Sequence, residues 1–332
     1  MITYNQAKYI SGALDSVLMQ DTDFDFEVVI GDDCSYDGTA EIISEYARKY
    51  PHIIRHYVHQ RNLGPPDLPA KNNFIFTFNA CQGDYIAILE GDDYWTDRKK
   101  LQLQVDFLKQ NPEYTLTCHN VNILYEGDEQ YIIESTSYDI EKTIGLREIL
   151  SKGSQAATCT LLMQNKIFDD FPDWFYQARN SDVPLQILYT SKGPMKYFSR
   201  TMATYRRHND GISVLPIHSQ ANIQRFRCHI CTYEQINKHF SFRYQQEINH
   251  YLYTYLYPNL LNAYIRNIEK MLEETIQCSR TLMSNTQVLS SIISFFRFCK
   301  WSLIYAIFGF FHASINALRR LRNFVKNNLI NI

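Results

Sequence analysis

Residues 83–95 read Gly83-Asp84-Tyr85-Ile86-Ala87-Ile88-Leu89-Glu90-Gly91-Asp92-Asp93-Tyr94-Trp95. Five consecutive apolar or aromatic side chains running into an acidic turn describe a buried strand that ends on carboxylates. A second stretch has the same design. Phe26-Glu27-Val28-Val29-Ile30 runs into Gly31-Asp32-Asp33, and Ser35-Tyr36-Asp37-Gly38-Thr39 then supplies turn and cap residues. Outward from these two runs, Ile10, Leu14, Val17 and Leu18 have helical spacing, as do Ala40, Ile43, Tyr46 and Ala47. Residues 53–58 read as a strand, and 72–80 and 101–108 as helices, the last stopped near Asn111-Pro112. Strands alternating with helices at this interval predict βαβ units: an α/β fold with a mainly parallel central sheet flanked by helices. Further on, 114–140 reads as strands with a turn at Glu126-Gly127-Asp128. Strands are also expected near 158–163 and 197–205, with a helical stretch from 217 to about 284. Tyr251, Tyr253, Tyr255 and Tyr257 alternate at period two inside that stretch and are taken as one mixed helix face.

The chain has 332 residues, 45 % hydrophobic and 20 % charged, which excludes global disorder. A net charge of −2 argues against a dedicated nucleic-acid binder. The charge is unevenly spread. From Val288 onward there are six basic residues (Arg297, Lys300, Arg319, Arg320, Arg322 and Lys326) and no acidic one, so the tail is +6 and the remainder −8. Between those basic groups, 301–318 is an uncharged run of 18 residues, interrupted by Ser302, His312, Ser314 and Asn316. Basic flanks on both sides disfavour a single crossing and favour an in-plane or re-entrant segment at an anionic membrane surface. A buried helix is the soluble alternative. The eight cysteines offer one close pair, Cys228 and Cys231, with no second pair to complete a zinc site. They read as reduced thiols on the cytosolic side. No secretory signal peptide is expected at the start, where turn chemistry at Thr3-Tyr4-Asn5-Gln6 leaves room for only a short first strand.

Each carboxylate pair, Asp32-Asp33 and Asp92-Asp93, could simply cap the following helix. Two pairs at equivalent strand ends point instead to a ligand site, because open α/β sheets bind ligands outside those ends. Hard divalent cations take such oxygen ligands together with phosphate.

Thr3-Tyr4-Asn5, the segment from Val29 through Thr39, Asn62-Leu63-Gly64 and the segment from Gly83 through Trp95 together resemble family 2 glycosyltransferases of the GT-A fold. The resemblance is strongest to a bacterial subgroup carrying Glu-Gly-Asp-Asp-Tyr-Trp, and it covers roughly residues 1–215. It implies a nucleotide-diphospho-sugar transferase fold with a helical C-terminal extension. It also implies a nucleotide-sugar donor bound by Thr3, Tyr4, Asp33, Lys71, Asp92 and Arg206. Lys71 stands where members often have Arg. The resemblance further implies a divalent metal, Mn²⁺ or Mg²⁺, with Asp93 as first choice of ligand and His208 as a phosphate or metal contact. A lone His is as often structural, and that reading stays open.

Asp182 in Asn180-Ser181-Asp182-Val183-Pro184 matches the acidic residue that serves inverting members as catalytic base. It also suits a helix cap before Pro184, and both roles can hold together. Tyr205-Arg206-Arg207-His208 matches segments that approach the donor diphosphate, where Arg suits phosphate. His119, Tyr94 and Trp95 read as packing residues near the site.

The expected organisation is a transferase domain at 1–215, a helical extension at 216–287 and a membrane-associating tail at 288–332. The expected activity is metal-dependent, inverting sugar transfer from a nucleoside-diphosphate donor to a saccharide or lipid-linked acceptor in surface polysaccharide synthesis. The expected location is the cytoplasmic membrane face, held peripherally or monotopically. The rival reading is a catalytically inactive nucleotide- or sugar-binding scaffold, to which the short first strand gives weight. A nucleotidyltransferase would need a Gly-rich phosphate loop near the start, and the sequence has none there.

Overall fold

The computed structural model describes residues 1–64, 70–126, 131–135, 140–209, 211 and 215–282. The first three strands, β1 (Ile2–Thr3), β2 (Val28–Asp32) and β3 (Ile54–Val58), form a parallel sheet in the order β1-β2-β3. Helices α1 (Ile10–Leu18) and α2 (Thr39–Lys49) make the crossovers, and α3 (Lys71–Asn79) follows β3. All five residues of β2 are buried, the apolar Val28-Val29-Ile30 together with Gly31 and Asp32. Ile10, Leu14, Val28, Ile30, Ile43 and Ile54 meet in the core beneath it. Gly31 is there for space: a Cβ would lie 2.1 Å from Thr77 Oγ1 and 2.3 Å from Asn73 Oδ1, so α3 sits directly on the strand.

The second sheet has seven strands and mixed directions. These are β4 (Tyr85–Ala87), β5 (Tyr94–Trp95), β6 (Leu116–Tyr125), β7 (Tyr131–Ser135), β8 (Lys142–Ile144), β9 (Leu162–Gln164) and β10 (Met195–Arg207), with α4 (Lys100–Gln110) between β5 and β6. Its centre is the parallel pair β6 and β10, and the shorter strands pair antiparallel around them. The parallel sheet of the sequence reading is therefore present as β1–β3, and the second sheet adds antiparallel edges. The apolar run at 85–89 pairs as a strand only over its first three residues. Its end turns toward β1 instead: Glu90 bridges Ile2, and Gly91 N–H donates to Ile2 O at 3.0 Å. Asp33 N–H donates to Thr3 O at 3.0 Å from the other side. The two carboxylate turns are thus sewn to opposite sides of one short strand. The strand expected near 158–163 starts later, at Leu162, because 158–160 form a 3₁₀ turn.

Helices α5 (Leu146–Lys152), α6 (Asp173–Gln177) and α7 (Asp182–Thr190) lie between β8 and β10. They are followed by α8 (Gln220–His239), α9 (Gln245–Tyr251), a π-helical turn (Leu252–Leu256) and α10 (Tyr257–Leu282). The chain divides into two compact units: Met1–Val214 with Thr232–Tyr251, and Leu215–Cys231 with the chain from Leu252. In the first unit α9 packs on α5. Gly153, at φ 82°, leaves room for the Tyr251 ring, and Arg147 pairs with Glu247. Of the alternating tyrosines, Tyr251 ends α9, Tyr253 and Tyr255 stand exposed on the π turn, which buries Leu252 and Leu256, and Tyr257 opens α10. Among the described residues, no helix is long and apolar enough to cross a membrane. The basic, apolar segment 288–332 lies outside the described residues.

Candidate active site

The loops after β1 and β2 are laced together by side chain to backbone bonds. Asn5 N–H donates to Ser35 Oγ at 2.8 Å, Tyr36 N–H to Asn5 Oδ1 at 3.0 Å, Gln6 N–H to Thr39 Oγ1 at 2.8 Å and Ala7 N–H to Asp37 Oδ2 at 3.0 Å. Asn5 and Cys34 take left-handed conformations to make the turns. Asp32 is spent locally, its two oxygens accepting from Ser35 Oγ and Ser35 N–H. Asp33 is not. One oxygen accepts Leu63 N–H at 2.7 Å, and the other is buried with no partner. Burial pushes its carboxyl above the usual range. Beside it, Thr3 Oγ1 is also buried and unpartnered, while Tyr4 is exposed with its ring edge-on to Tyr36. This side of the site therefore offers an acceptor oxygen, a hydroxyl and an aromatic rim.

At the second turn the two aspartates separate. Asp93 is 1 % exposed and accepts Arg206 N–H at 2.7 Å through Oδ1, with Oδ2 enclosed without a partner. Burial, then Glu90 and Asp92, raise its carboxyl well above the ordinary value. Asp92 keeps its side chain 18 % exposed, with Oδ2 3.0 Å from His208 Nε2. His208 Nδ1 is buried without a partner. Asp93, the sequence's first choice for a cation, thus anchors β10 through Oδ1, and Asp92, with buried His208 against its Oδ2, is the more open carboxylate of the turn. Among the described residues no group of three His, Cys, Asp or Glu side chains converges as a cation cage. A carboxylate with an adjacent imidazole fits a hard or borderline cation whose remaining ligands are phosphate and water.

Arg206 is held tightly. Its Nε donates to Asp92 O at 2.9 Å, Nη1 pairs with Glu126, and the guanidinium lies 4.7 Å over the Tyr9 ring and 5.4 Å over Tyr94. Glu126 also accepts from Lys8 Nζ at 3.0 Å and Tyr9 OH at 2.9 Å. Burial works against its charge, but Lys8, Tyr9 and Arg206 hold it below the usual carboxylate range. Sequence reasoning missed Glu126 and Tyr9. They lie 117 residues apart, and Glu126 reads locally as turn material.

Asp182 opens α7. Its Oδ1 accepts from Asn180 Nδ2, and burial raises its carboxyl against the pull of Val183 N–H, Asn180 and Lys71. Half-buried Glu90 lies close enough to Asp92 and Asp182 that burial, Asp92 and then Asp182 push it up to about 8. Lys71 was expected beside the nucleotide. It is only 2 % exposed, and its ammonium donates to Asn180 O at 3.3 Å and Ser181 Oγ at 3.1 Å, 3.9 Å over the Phe175 ring. His119 is buried with Nδ1 2.7 Å from Asn120 O, and Trp95 donates Nε1–H to Cys159 O at 2.9 Å; both pack the interior. Cys34, Cys81, Cys118, Cys159, Cys228 and Cys231 are free thiols.

A parallel three-stranded sheet joined to a mixed sheet, with acidic turns where they meet, is the architecture of the GT-A glycosyltransferase class. The profile of glycosyl transferase family 2 matches residues 1–171, and the chain belongs to that family. It is 35 % identical over 217 residues to the protein Rv1520 of Mycobacterium tuberculosis, covering 64 % of this chain and 58 % of that protein. It is 26 % identical over 179 residues to the poly(ribitol-phosphate) beta-N-acetylglucosaminyltransferase TarS of Staphylococcus aureus, covering 54 % and 30 %. The mannosyltransferase PcManGT from Pyrobaculum calidifontis, solved with GDP-Man and Mn²⁺, has a similar fold. Its TM-score is 0.53 at 14 % identity, over 100 % of this chain and 86 % of that one. The chain spans less than two-thirds of the length of these curated relatives.

Proposed function

We propose that the chain is a metal-dependent, inverting glycosyltransferase that moves a sugar from a nucleoside-diphosphate donor to a saccharide or lipid-linked acceptor. The observation that carries this reading is the pair of acidic turns held to the two sides of β1, Asp33 N–H to Thr3 O and Gly91 N–H to Ile2 O, and the charge of Asp182 is felt at Glu90 together with that of Asp92. Thr3, Tyr4 and Asp33 take the nucleoside, the unpartnered Asp33 oxygen accepting from an N–H of the base. Arg206, fixed by Glu126, sits where the diphosphate approaches. Asp92 and His208 would hold Mn²⁺ or Mg²⁺, which supplies charge neutralisation on the departing diphosphate.

Asp182 accepts the proton of the acceptor hydroxyl as that oxygen bonds to the anomeric carbon and the carbon–oxygen bond to the diphosphate breaks. A single displacement of this kind inverts the anomeric configuration. The raised proton affinity of Asp182 suits that task. The polymer acceptor in the name of TarS supports a place in surface polysaccharide synthesis.

The test is a thermal-shift screen of UDP, GDP and their sugars with and without Mn²⁺, followed by donor hydrolysis. Stabilisation by one nucleotide series that grows with Mn²⁺, together with slow hydrolysis, is the expected result. Binding without any turnover favours the inactive scaffold.

The composition of 288–332 supports seating on the cytoplasmic face of an anionic membrane. Exchanging Arg319, Arg320 and Arg322 for Gln should weaken binding to anionic vesicles more than to neutral ones. Equal loss on both rejects the electrostatic contribution.

A further inference from the structure

Lys71 is a buried cation with an unusual set of partners. The ion pairs of the described residues do not include it. Its ammonium is satisfied by a backbone carbonyl, a hydroxyl and a ring face, all from the segment that leads into α7. Ser181 stands at the N-cap position of α7 yet makes no capping bond with its side chain; its hydroxyl accepts from the lysine instead. Asn180 gives its carbonyl to the same ammonium while its side-chain amide donates to Asp182 Oδ1. The lysine therefore grips both residues that precede Asp182, one of which directly orients the carboxylate.

We propose that Lys71 is a positioning residue: it clamps the turn at Asn180 and Ser181 onto the start of α3 and so fixes the Asp182 carboxylate for proton abstraction. This rests on the reading of Asp182 as the base. It stands in place of the expected nucleotide contact by Lys71, because the ammonium is already engaged by Asn180 O, Ser181 Oγ and the Phe175 ring. A charge held at this point has a second effect. The protonated lysine favours the ionised, base-competent form of Asp182. Burial lowers Lys71 itself to about 7, with Asp182 opposing. Among the described residues, the charged and titratable groups facing this pair are Asp182 toward Lys71, and Glu90 and Tyr233 toward Asp182. The clamp should therefore loosen as pH rises past neutrality. Arg, which stays protonated, should keep it closed.

The experiment uses the full chain as wild type, Lys71→Met, Lys71→Arg and Asp182→Asn. Hydrogen exchange is read at residues 180–186, with 28–33 as an internal control for folding. Lys71→Met should raise exchange at 180–186 at least tenfold and leave 28–33 unchanged. Unchanged protection at 180–186 overturns the clamp. With UDP-GlcNAc and GDP-mannose plus Mn²⁺ as probes, Lys71→Met should lower kcat for donor hydrolysis more than tenfold while KM stays within twofold. A rise in KM with kcat retained overturns the proposal in favour of a donor contact. Lys71→Arg should restore protection and move the alkaline fall in kcat upward; an identical alkaline limb overturns the role of the charge. If Asp182→Asn retains full turnover, the base reading fails, and the exchange result alone then decides the clamp.

Discussion

Asp182 and His208 make separable predictions because the roles proposed for them belong to different steps. Asp182→Asn keeps the shape and the Asn180 contact but removes the proton acceptor. It should cut turnover by roughly 10²–10⁴-fold with donor affinity near normal, measured by steady-state kinetics beside calorimetry with UDP or GDP. A collapse in donor affinity would make Asp182 a structural cap. His208→Ala removes the partner of Asp92 Oδ2 and should raise the Mn²⁺ concentration needed for nucleotide stabilisation by about 10–100-fold. Carboxylates at the ends of apolar strands were legible in the sequence because short-range pattern places them there. The division of labour within each pair was not legible. Asp32, Asp33 and Asp93 are all buried, and their partners tell them apart: Ser35 takes both oxygens of Asp32, Leu63 takes one oxygen of Asp33, and the distant Arg206 takes one of Asp93, while Asp92 keeps its side chain 18 % exposed. Lys71 was hard to read for a similar reason: nothing near it in sequence marks that its side chain runs inward to the residues before α7, 109 and 110 positions on.

Among the elements, β2 and α3 are set by a missing methyl group. Gly31→Ala places a Cβ against Thr77 and Asn73, and Asn73 is already committed to Gly31 O at 2.8 Å and His59 at 3.0 Å. The substitution should cost about 1–3 kcal/mol in urea unfolding, the usual range for overpacking. No loss of stability would show that α3 can move away freely. Helices and parallel strands were readable because their periods are local. The ladder of β4 was not, since three residues pair with β9 and the next turn away to meet Ile2. Nothing in an unbroken apolar run marks where its hydrogen bonds change partner. The alternating tyrosines are helical, as expected, despite their period of two; what local pattern does not mark is the widened turn that buries Leu252 and Leu256 and exposes Tyr253 and Tyr255.

At the scale of the whole molecule, stability should carry a pH signature from Lys100, which is completely buried against the Trp95 ring with Nζ 2.7 Å from Gln104 Oε1. Burial lowers its value from 10.5 to about 7. Between those values the unfolded chain binds the proton and the folded chain does not, so this group makes stability rise with pH across that window. Raised carboxylates such as Glu90 act in the opposite direction, so the useful quantity is a difference. The gap in Tm between wild type and Lys100→Met should change from pH 7 to pH 10 in favour of wild type, read by differential scanning calorimetry. A gap independent of pH would show Lys100 charged throughout. Long-range assembly was the least legible level. A helical stretch looks uniform in sequence, yet Thr232–Tyr251 belongs to the first unit and the residues on either side to the second.

The lacing of the loops after β1 and β2 bears on the speed of encounter. Four backbone amides are already committed to Ser35, Asn5, Thr39 and Asp37 before any nucleotide arrives. The proposed nucleoside site, with its loops tied in advance, has little ordering left to undergo. Stopped-flow association of a fluorescent nucleoside diphosphate should therefore show one phase whose rate grows linearly with concentration, at about 10⁵–10⁷ M⁻¹s⁻¹. Ser35→Ala and Asp37→Ala, which unlace the loops without touching the pocket carboxylate Asp33, should introduce a rate that levels off, the mark of a loop that must first find its shape.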